Sequence, residues 1–325
     1  MAGPEQTSDY LLDRRNLRRK VTFWRVAAFA FLIVAAGALA WRLIGASSPS
    51  RLQPHIARIS IDGIIRDDRE TLKLFDDVAK SHAAGVILSI ESPGGTTTGA
   101  EQLYQHIRKL SEKKPVVAVV GGMAASGGYI AAMGADRIIA QGNSLVGSIG
   151  VLFQFPNVSK LLDTVGVKME EVKSSPLKAA PNGFEPTTPE ARAAIAALVS
   201  DSYSWFKNLV SERRNINGEA LDQVSDGRVF TGRQALPLKL VDALGSEQDA
   251  VTWLEEEKHL RKNLPIRDWR RRQSLDRLGL LGMAAESAAL VGLDGPALSL
   301  RKLQASQEGW FLDGLLSIWH ADFVN

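Results

Sequence analysis

The sequence predicts an α/β fold built on a largely parallel sheet. Three observations carry this: strand-like and helix-like segments alternate from residue 55 to 141, the connections are short and marked by glycine, and no fixed-period repeat competes with the alternation. "HIARISIDG" (55–63) alternates apolar and polar residues and ends in Asp-Gly, the pattern of a strand leaving through a turn. Residues 69–82 put Leu72, Phe75, Val78 and Ala79 at helical spacing. "GVILSIESPGG" (85–95) predicts a buried strand ending in a glycine turn, and an amphipathic helix follows over 98–113. "PVVAVVGG" (115–122) is a second buried strand, followed by a helix over 126–134 and a strand in "DRIIAQ" (136–141). "VKMEEVKS" (167–174) has the length of one more strand. Thr188 as N-cap and Pro189 at the first helical position open a long helix that reaches Arg214. Further on, "DWRRRQSLDRLGLLGMAAESAALVGL" and "GWFLDGLLSIWHADF" predict a helical C-terminal extension broken by glycines. Arg270, Arg271 and Arg272 suit a solvated face, and contact with lipid headgroups or a neighbouring subunit is the alternative.

With 45% hydrophobic and 23% charged residues, the 325-residue chain has ordinary globular composition. Its formal charge of +3 comes entirely from residues 1–25, where six basic side chains face three acidic ones. The balanced remainder argues against a nucleic-acid-binding body. There is no cysteine, which excludes disulfides, thiolate metal sites and a cysteine nucleophile, and fits an oxidising compartment. Val26–Trp41 holds sixteen uncharged residues. Phe23, Trp24, Leu43 and Ile44 lengthen it toward the roughly 20 residues that cross a bilayer. The basic flank precedes it, so residues 1–25 stay in the cytoplasm and the chain after the apolar run is exported. A signal peptide cleaved after "ALA", or a buried soluble helix, are the competing readings. "GASSPSRLQP" (45–54) is a polar linker.

Two stretches carry chemistry together. "ESPGGTTTGA" puts Gly94 and Gly95 at the end of a buried strand, where α/β proteins gather ligands. "GGMAASGGYIAAMGAD" sets Ser126 among small residues between a strand and a helix, close to the nucleophile-elbow pattern. A developing oxyanion would take one N–H from Gly127 and one from the Gly94–Gly95 turn. Packing alone also accounts for glycines at both places. A serine needs a base, yet His55, His82, His106, His259 and His320 all stand outside glycine-rich turns. No cluster has metal-ligand spacing. That leaves a Ser–Lys pairing, in which burial must lower the amine's pKa from about 10.4 toward 7–8. "VKSSPLKAAPNGFEP" offers Lys173 and Lys178, and a solvent-exposed lysine is the bland alternative for each.

"SPGG", "GGMAASGGYIAAMGAD", "VGSIGV", "VKSSPLKA" and "GRVFTGRQALPLKLVDALGS" resemble, in order and spacing over residues 55–255, the SppA-type signal peptide peptidases of the Clp protease/crotonase superfamily. The resemblance implies a βαβ spiral core and a membrane-anchored serine protease of the short, single-unit kind. Ser126 matches the family nucleophile, Lys178 its general base with Lys173 second, and Ser148 the hydroxyl that orients the lysine. Gly95 and Gly127 match the oxyanion hole. No cofactor and no metal are implied. The expected substrates are signal-peptide remnants and other hydrophobic peptides, and the expected assembly is a homo-oligomer ring in which serine and lysine can come from adjacent subunits. The resulting division is a cytoplasmic leader (1–25), a single-pass inner-membrane anchor (26–44), a linker (45–54), an extracytoplasmic protease domain (55–255) and a helical extension (256–325). Lys239 departs from the family, standing where a small residue is common, and Pro237 interrupts the preceding helix. A crotonase-like acyl-CoA enzyme using both glycine turns without a nucleophile, and a non-catalytic membrane scaffold, are the alternatives.

Overall fold

The computed structural model describes residues 22–31, 33–34, 53–270 and 316–318. The chain divides into two units, Met1–Gln53 and Pro54–Asn325. In the first, residues 22–31 and 33–34 are helical, and Phe23, Trp24, Phe29 and Phe31 are exposed. Among the described residues no helix is long and apolar enough to cross a membrane, and residues 32 and 35–44 of the expected anchor lie outside them.

The second unit runs β1 (His55–Ile65), α1 (Arg69–Ala79), β2 (Ala83–Thr96), α2 (Thr97–Ser111), β3 (Val116–Ala125), α3 (Gly127–Ala132), β4 (Arg137–Ala140) and β5 (Leu145–Gly147). Then come α4 (Ser159–Thr164), α5 (Pro189–Arg214), α6 (Glu219–Val224), β6 (Val229–Thr231), α7 (Gly232–Ala235), β7 (Ala243–Leu244), α8 (Glu247–Glu256), β8 (Ile266–Trp269) and β9 (Leu316–Ile318). One sheet has the order β6-β5-β3-β2-β1-β8. The pairs among β1, β2, β3, β5 and β8 are parallel, and β5–β6 is antiparallel. The predicted α/β class with a largely parallel sheet is what forms.

Both faces of the central strands are covered, which is why their sequences read as unbroken apolar runs. Val86, Leu88, Ile90, Val116, Ala118 and Val120 pack with Phe75, Val78, Leu103, Ile107 and Ile130 of the helices. The alternate residues Ile87, Val117 and Val119 pack with Ala250, Trp253 and Leu254 of α8. Asp68, Thr96 and Thr188 cap α1, α2 and α5 by accepting backbone N–H groups of the first turn.

Four expectations change. Asp62-Gly63 is no turn: β1 runs on to Ile65 across a register shift at Gly63 (φ 70°), a bulge. β2 likewise continues through Gly94 and Gly95 to Thr96, because Ile64 and Ile65 of β1 still pair with them. Residues 167–174 form no strand; all but Lys173 are exposed, so the alternation has no core to face. The helical C-terminal extension is corrected too, since its described parts beyond Glu256 include two strands, β8 and β9, and no helix. Pairing with β1 makes Ile266–Trp269 a strand where the sequence predicted a helical segment. Trp269 Nε1 donates to Nε2 of the buried His55 at 3.1 Å, and Arg58 bridges Asp268 (2.6 Å) and Glu247 (3.0 Å). The Arg58 hydrogen bond holds the Asp268 carboxyl below the usual range, so this tether contributes at neutral pH and is lost as acid protonates the carboxylate. Residues 271–315 and 319–325 of the extension lie outside the described residues.

The expectation of a small residue at Lys239 has a local reason. The residue adopts φ 61°, a left-handed conformation that favours glycine. Arg214 secures it, donating Nε–H to the Lys239 carbonyl at 2.7 Å and its fork to Asp242 at 2.8 and 3.2 Å.

Candidate active site

Ser126 is the single residue between the end of β3 and the start of α3. Its backbone has φ 54° and ψ −116°, a conformation that costs a non-glycine residue roughly 1–3 kcal/mol. Hydrogen bonds impose it. The Ser126 N–H donates to the Gly147 carbonyl at 2.7 Å, and its own carbonyl accepts from Tyr129 (2.9 Å) and Ile130 (3.0 Å). Small neighbours let this sharp junction sit against β2: a Cβ on Gly128 would lie 2.7 Å from the Ser92 carbonyl oxygen. The sequence's run of glycines and alanines is thus a device for close backbone approach.

Register gathers the other candidates around it. Ala125 pairs with Gly147 across β3 and β5, so Ser126 and Ser148 emerge side by side from neighbouring strands. Ser148 is buried, also left-handed at φ 51°, and its N–H donates to the Arg228 carbonyl at 2.8 Å. On the other side Ser92 pairs with Ala124, the last pair of β2 and β3 before the Ser126 junction, and Gly94 follows two residues later. Gly95 follows, pressed so closely on β1 that a Cβ would stand 1.8 Å from the Ile65 carbonyl oxygen. Gly127 opens α3, where the first N–H groups have no acceptor within the helix. Ser126, Gly127, Ser148 and Gly95 therefore share the carboxyl end of the parallel strands, the usual ligand end of such sheets.

Sequence reasoning missed Ser92. It is fully buried; its Oγ donates to the Gly63 carbonyl at 2.7 Å and accepts the Gly94 N–H at 3.1 Å. It fixes the Gly94–Gly95 backbone against the β1 bulge. The signal was its place in "ESPGG", where a serine between strand and glycines reads only as a turn former. Ser92→Ala leaves a buried N–H without its acceptor and is expected to cost about 1–3 kcal/mol in urea denaturation. It should lower kcat more than it raises KM, because it displaces Gly95 rather than a substrate contact.

The two lysines separate. Lys173 Nζ lies 2.6 Å from Glu171 and 2.9 Å from Glu185, and these bonds, that to Glu171 foremost, raise its pKa. A lysine held charged in this way is a poor base. Lys178 occupies an exposed turn, its N–H donating to the Ser175 carbonyl at 3.1 Å, and its ammonium makes no hydrogen bond or ion pair among the described residues. In the same stretch of chain, residues 161–184, Leu161, Val165, Val167, Met169, Val172, Leu177 and Phe184 are exposed too. Of the histidines, His55 is stacked on Trp269, His106 Nδ1 lies 2.9 Å from the Gln102 carbonyl, His82 and His259 are exposed, and His320 is outside the described residues. No group of three metal-ligating side chains occurs among the described residues.

Residues 108–261 match the model of peptidase family S49. Over 200 residues the chain is 40% identical to the Synechocystis sp. protein slr0021, a protease by its name, covering 61% of this chain and 72% of that one. The chain belongs to peptidase family S49. It is also 31% identical over 221 residues to an Enterococcus faecium protein named as the signal peptide peptidase SppA, covering 63% of this chain and 64% of that one. With Protease 4 of Haemophilus influenzae it shares 30% over 240 residues, 68% of this chain but 38% of that protein. The chain thus spans just under two thirds of the one relative and well under half of the other. Among solved structures, a mutant of the membrane-bound stomatin-specific protease 1510-N aligns at 14% identity with a TM-score of 0.43, over 68% of this chain and 99% of that one. The SppA-type resemblance stands, and with it an S49 serine peptidase.

Proposed function

We propose that this S49 peptidase is a membrane-anchored endopeptidase that hydrolyses signal-peptide remnants and similar apolar peptides through Ser126 and Lys178. The neutral Lys178 amine accepts the Ser126 hydroxyl proton as Oγ attacks the scissile carbonyl. The resulting oxyanion accepts hydrogen bonds from the Gly127 and Gly95 N–H groups. Collapse expels the peptide amine, which takes the proton from the Lys178 ammonium, and a water activated by the same amine then hydrolyses the ester. Ser148 accepts from the ammonium and orients it. The observation that carries this reading is the strained Ser126 junction, just past the Ser92–Ala124 pair and beside Ser148, with no described histidine in that cluster.

Exposure of Lys178 supports a ring in which one subunit's lysine serves its neighbour's serine. A lysine base must lose its proton in a water-poor niche, and Leu177 beside Lys178, with the other exposed apolar residues of 161–184, offers apolar surface for a second copy to cover. The exposed Phe23, Trp24, Val26, Phe29, Phe31 and Ile33, behind a basic leader, support a cytoplasmic N-terminus, a single crossing of the inner membrane and an extracytoplasmic catalytic unit.

A serine-reactive fluorophosphonate or β-lactone, followed by peptide mapping, tests the nucleophile. The expected adduct is on Ser126 and is absent after Lys178→Ala. Acyl-CoA thioester turnover that persists in Ser126→Ala would instead identify crotonase-like chemistry and overturn the proposal.

A further inference from the structure

β3 changes neighbours part-way along. Val117–Val120 pair with Arg137–Ala140 of β4, whereas Met123–Ala125 pair with Leu145–Gly147 of β5. Gly121 and Gly122 fall between the two ladders. On its other edge the same stretch interrupts the pairing with β2: Ile90 pairs with Val120 and Ser92 with Ala124. Glu91 alone therefore stands against Gly121, Gly122 and Met123, a bulge of two extra residues just before the Ser126 junction. Backbone groups that leave a ladder need other partners, and two side chains supply them here. The Gly122 N–H donates to Glu91 Oε2 at 2.5 Å. Ser144, between β4 and β5, shares its hydroxyl proton between the Gly121 and Val120 carbonyls, at 2.5 and 3.1 Å. The carboxylate lies over the glycine pair: a Cβ on Gly121 would stand 2.7 Å from Glu91 Oε2, and one on Gly122 2.7 Å from Oε1. The doubled glycine makes room for it.

What this clamp joins gives it meaning. Glu91 is exposed and makes no other hydrogen bond or ion pair among the described residues, so neither core packing nor a second charge accounts for its place. It immediately precedes Ser92, whose Oγ holds the Gly94 N–H, while Gly122 leads through Ala124 and Ala125 to Ser126. The bond thus ties the strand of the oxyanion glycines to the strand of the nucleophile where their ladder is interrupted. We propose that Glu91 is a positioning residue: by accepting the Gly122 N–H, its carboxylate fixes the bulge at which β3 crosses from β4 to β5, and so the register in which Ser126 emerges beside Ser148. A hydrogen bond to an ionised acceptor is about twice as strong as a neutral one, which suits a single contact holding a bulge. Displacing a reacting group by about 1 Å can cost up to roughly 100-fold in rate, so loss of the clamp reads in kcat and not in KM. The catalytic role rests on the peptidase reading above; the clamp itself does not.

The test compares variants of the full-length chain on an apolar fluorogenic peptide. Glu91→Ala is expected to lower kcat about tenfold and to leave KM within about twofold. Glu91→Gln, whose amide oxygen can still accept the Gly122 N–H, should keep kcat within about threefold of wild type. Gly122→Ala approaches the same bond from the other side: the three atoms nearest its new Cβ all belong to Glu91, so the methyl pushes the carboxylate off the N–H. It should match Glu91→Ala, and the double variant should be no worse than either single one, because both remove one contact. Unchanged kcat in Glu91→Ala, equal losses in the Ala and Gln variants, or losses that multiply in the double variant would each overturn the proposal. A rise in KM with kcat intact would do so too, since Glu91 would then act on substrate binding. Hydrogen–deuterium exchange of the segment around Gly122 separates the clamp from the chemistry. Its amide should exchange at least about tenfold faster in Glu91→Ala than in Glu91→Gln, two variants that both lack the charge. If even wild type hydrolyses no peptide, the peptidase reading fails and exchange alone decides the clamp, equal rates in the two variants overturning it.

Discussion

Ser126→Ala is expected to abolish peptide hydrolysis while leaving the protein folded. Loss of a serine nucleophile costs on the order of 10^6 in kcat, equivalent to about 8 kcal/mol of barrier, with only the oxyanion donors and substrate binding left to act. Alanine fills the same small site and is just as strained at φ 54°, so denaturation should move little. Ser126→Gly separates the two effects. It is equally inactive, but it relieves the left-handed conformation and should be more stable than Ser126→Ala by about 1 kcal/mol. That ordering, inactive yet stabilised, is the signature of a residue kept strained for chemistry. Steady-state turnover of an apolar fluorogenic peptide, alongside urea unfolding of the same preparations, reads both. Turnover surviving in either variant removes Ser126 from the mechanism.

How much of this was legible follows from where the information lies. The strands 85–95 and 115–122 were plain because both their faces are buried, and a short, continuous Val/Ile run bounded by glycine or proline suits a strand covered on two sides. Thr188 and Pro189 marked α5 to the residue because cap chemistry is local. Asp62-Gly63 misled for the same reason that makes it useful: the dipeptide that favours a turn also forms a bulge, and only β2 alongside decides between them. Ser126, Gly127, Ser148 and Gly95 were legible as types, but their meeting at one end of the sheet is a property of register, which no local pattern contains. β8 and β9 were hidden for a deeper reason. Each is a strand only through a partner more than 200 positions away in sequence, His55–Ile65 for one and Gly94–Thr96 for the other, and three or four residues are too few to carry a period of their own. Ser92 was hidden because its two hydrogen bonds join a bulge and a glycine pair that the sequence presents as separate turns.

Mixing two inactive proteins should restore activity. If Ser126 of one subunit works with Lys178 of the next, Ser126→Ala and Lys178→Ala are each silent as homo-oligomers, since each lacks one half of every site. In a mixed ring a site is whole when a subunit with Ser126 stands before one with Lys178. For equal amounts and random order this is one half times one half, so about a quarter of wild-type turnover should return after co-refolding or co-expression. A site built within one subunit returns none. Wild type mixed with the double variant gives an independent reading: turnover falls to about a quarter for a shared site and only to half for an unshared one. The physical basis is the exposed Lys178 turn, next to Leu177 in a stretch that also exposes Met169, Val172 and Phe184; the ammonium enters a low-dielectric niche only when another copy covers it. Lys173→Ala serves as the control. Glu171 and Glu185 hold that ammonium charged, so its loss should leave the complementation pattern intact. Activity lost in Lys173→Ala and unaffected in Lys178→Ala would exchange the roles of the two lysines.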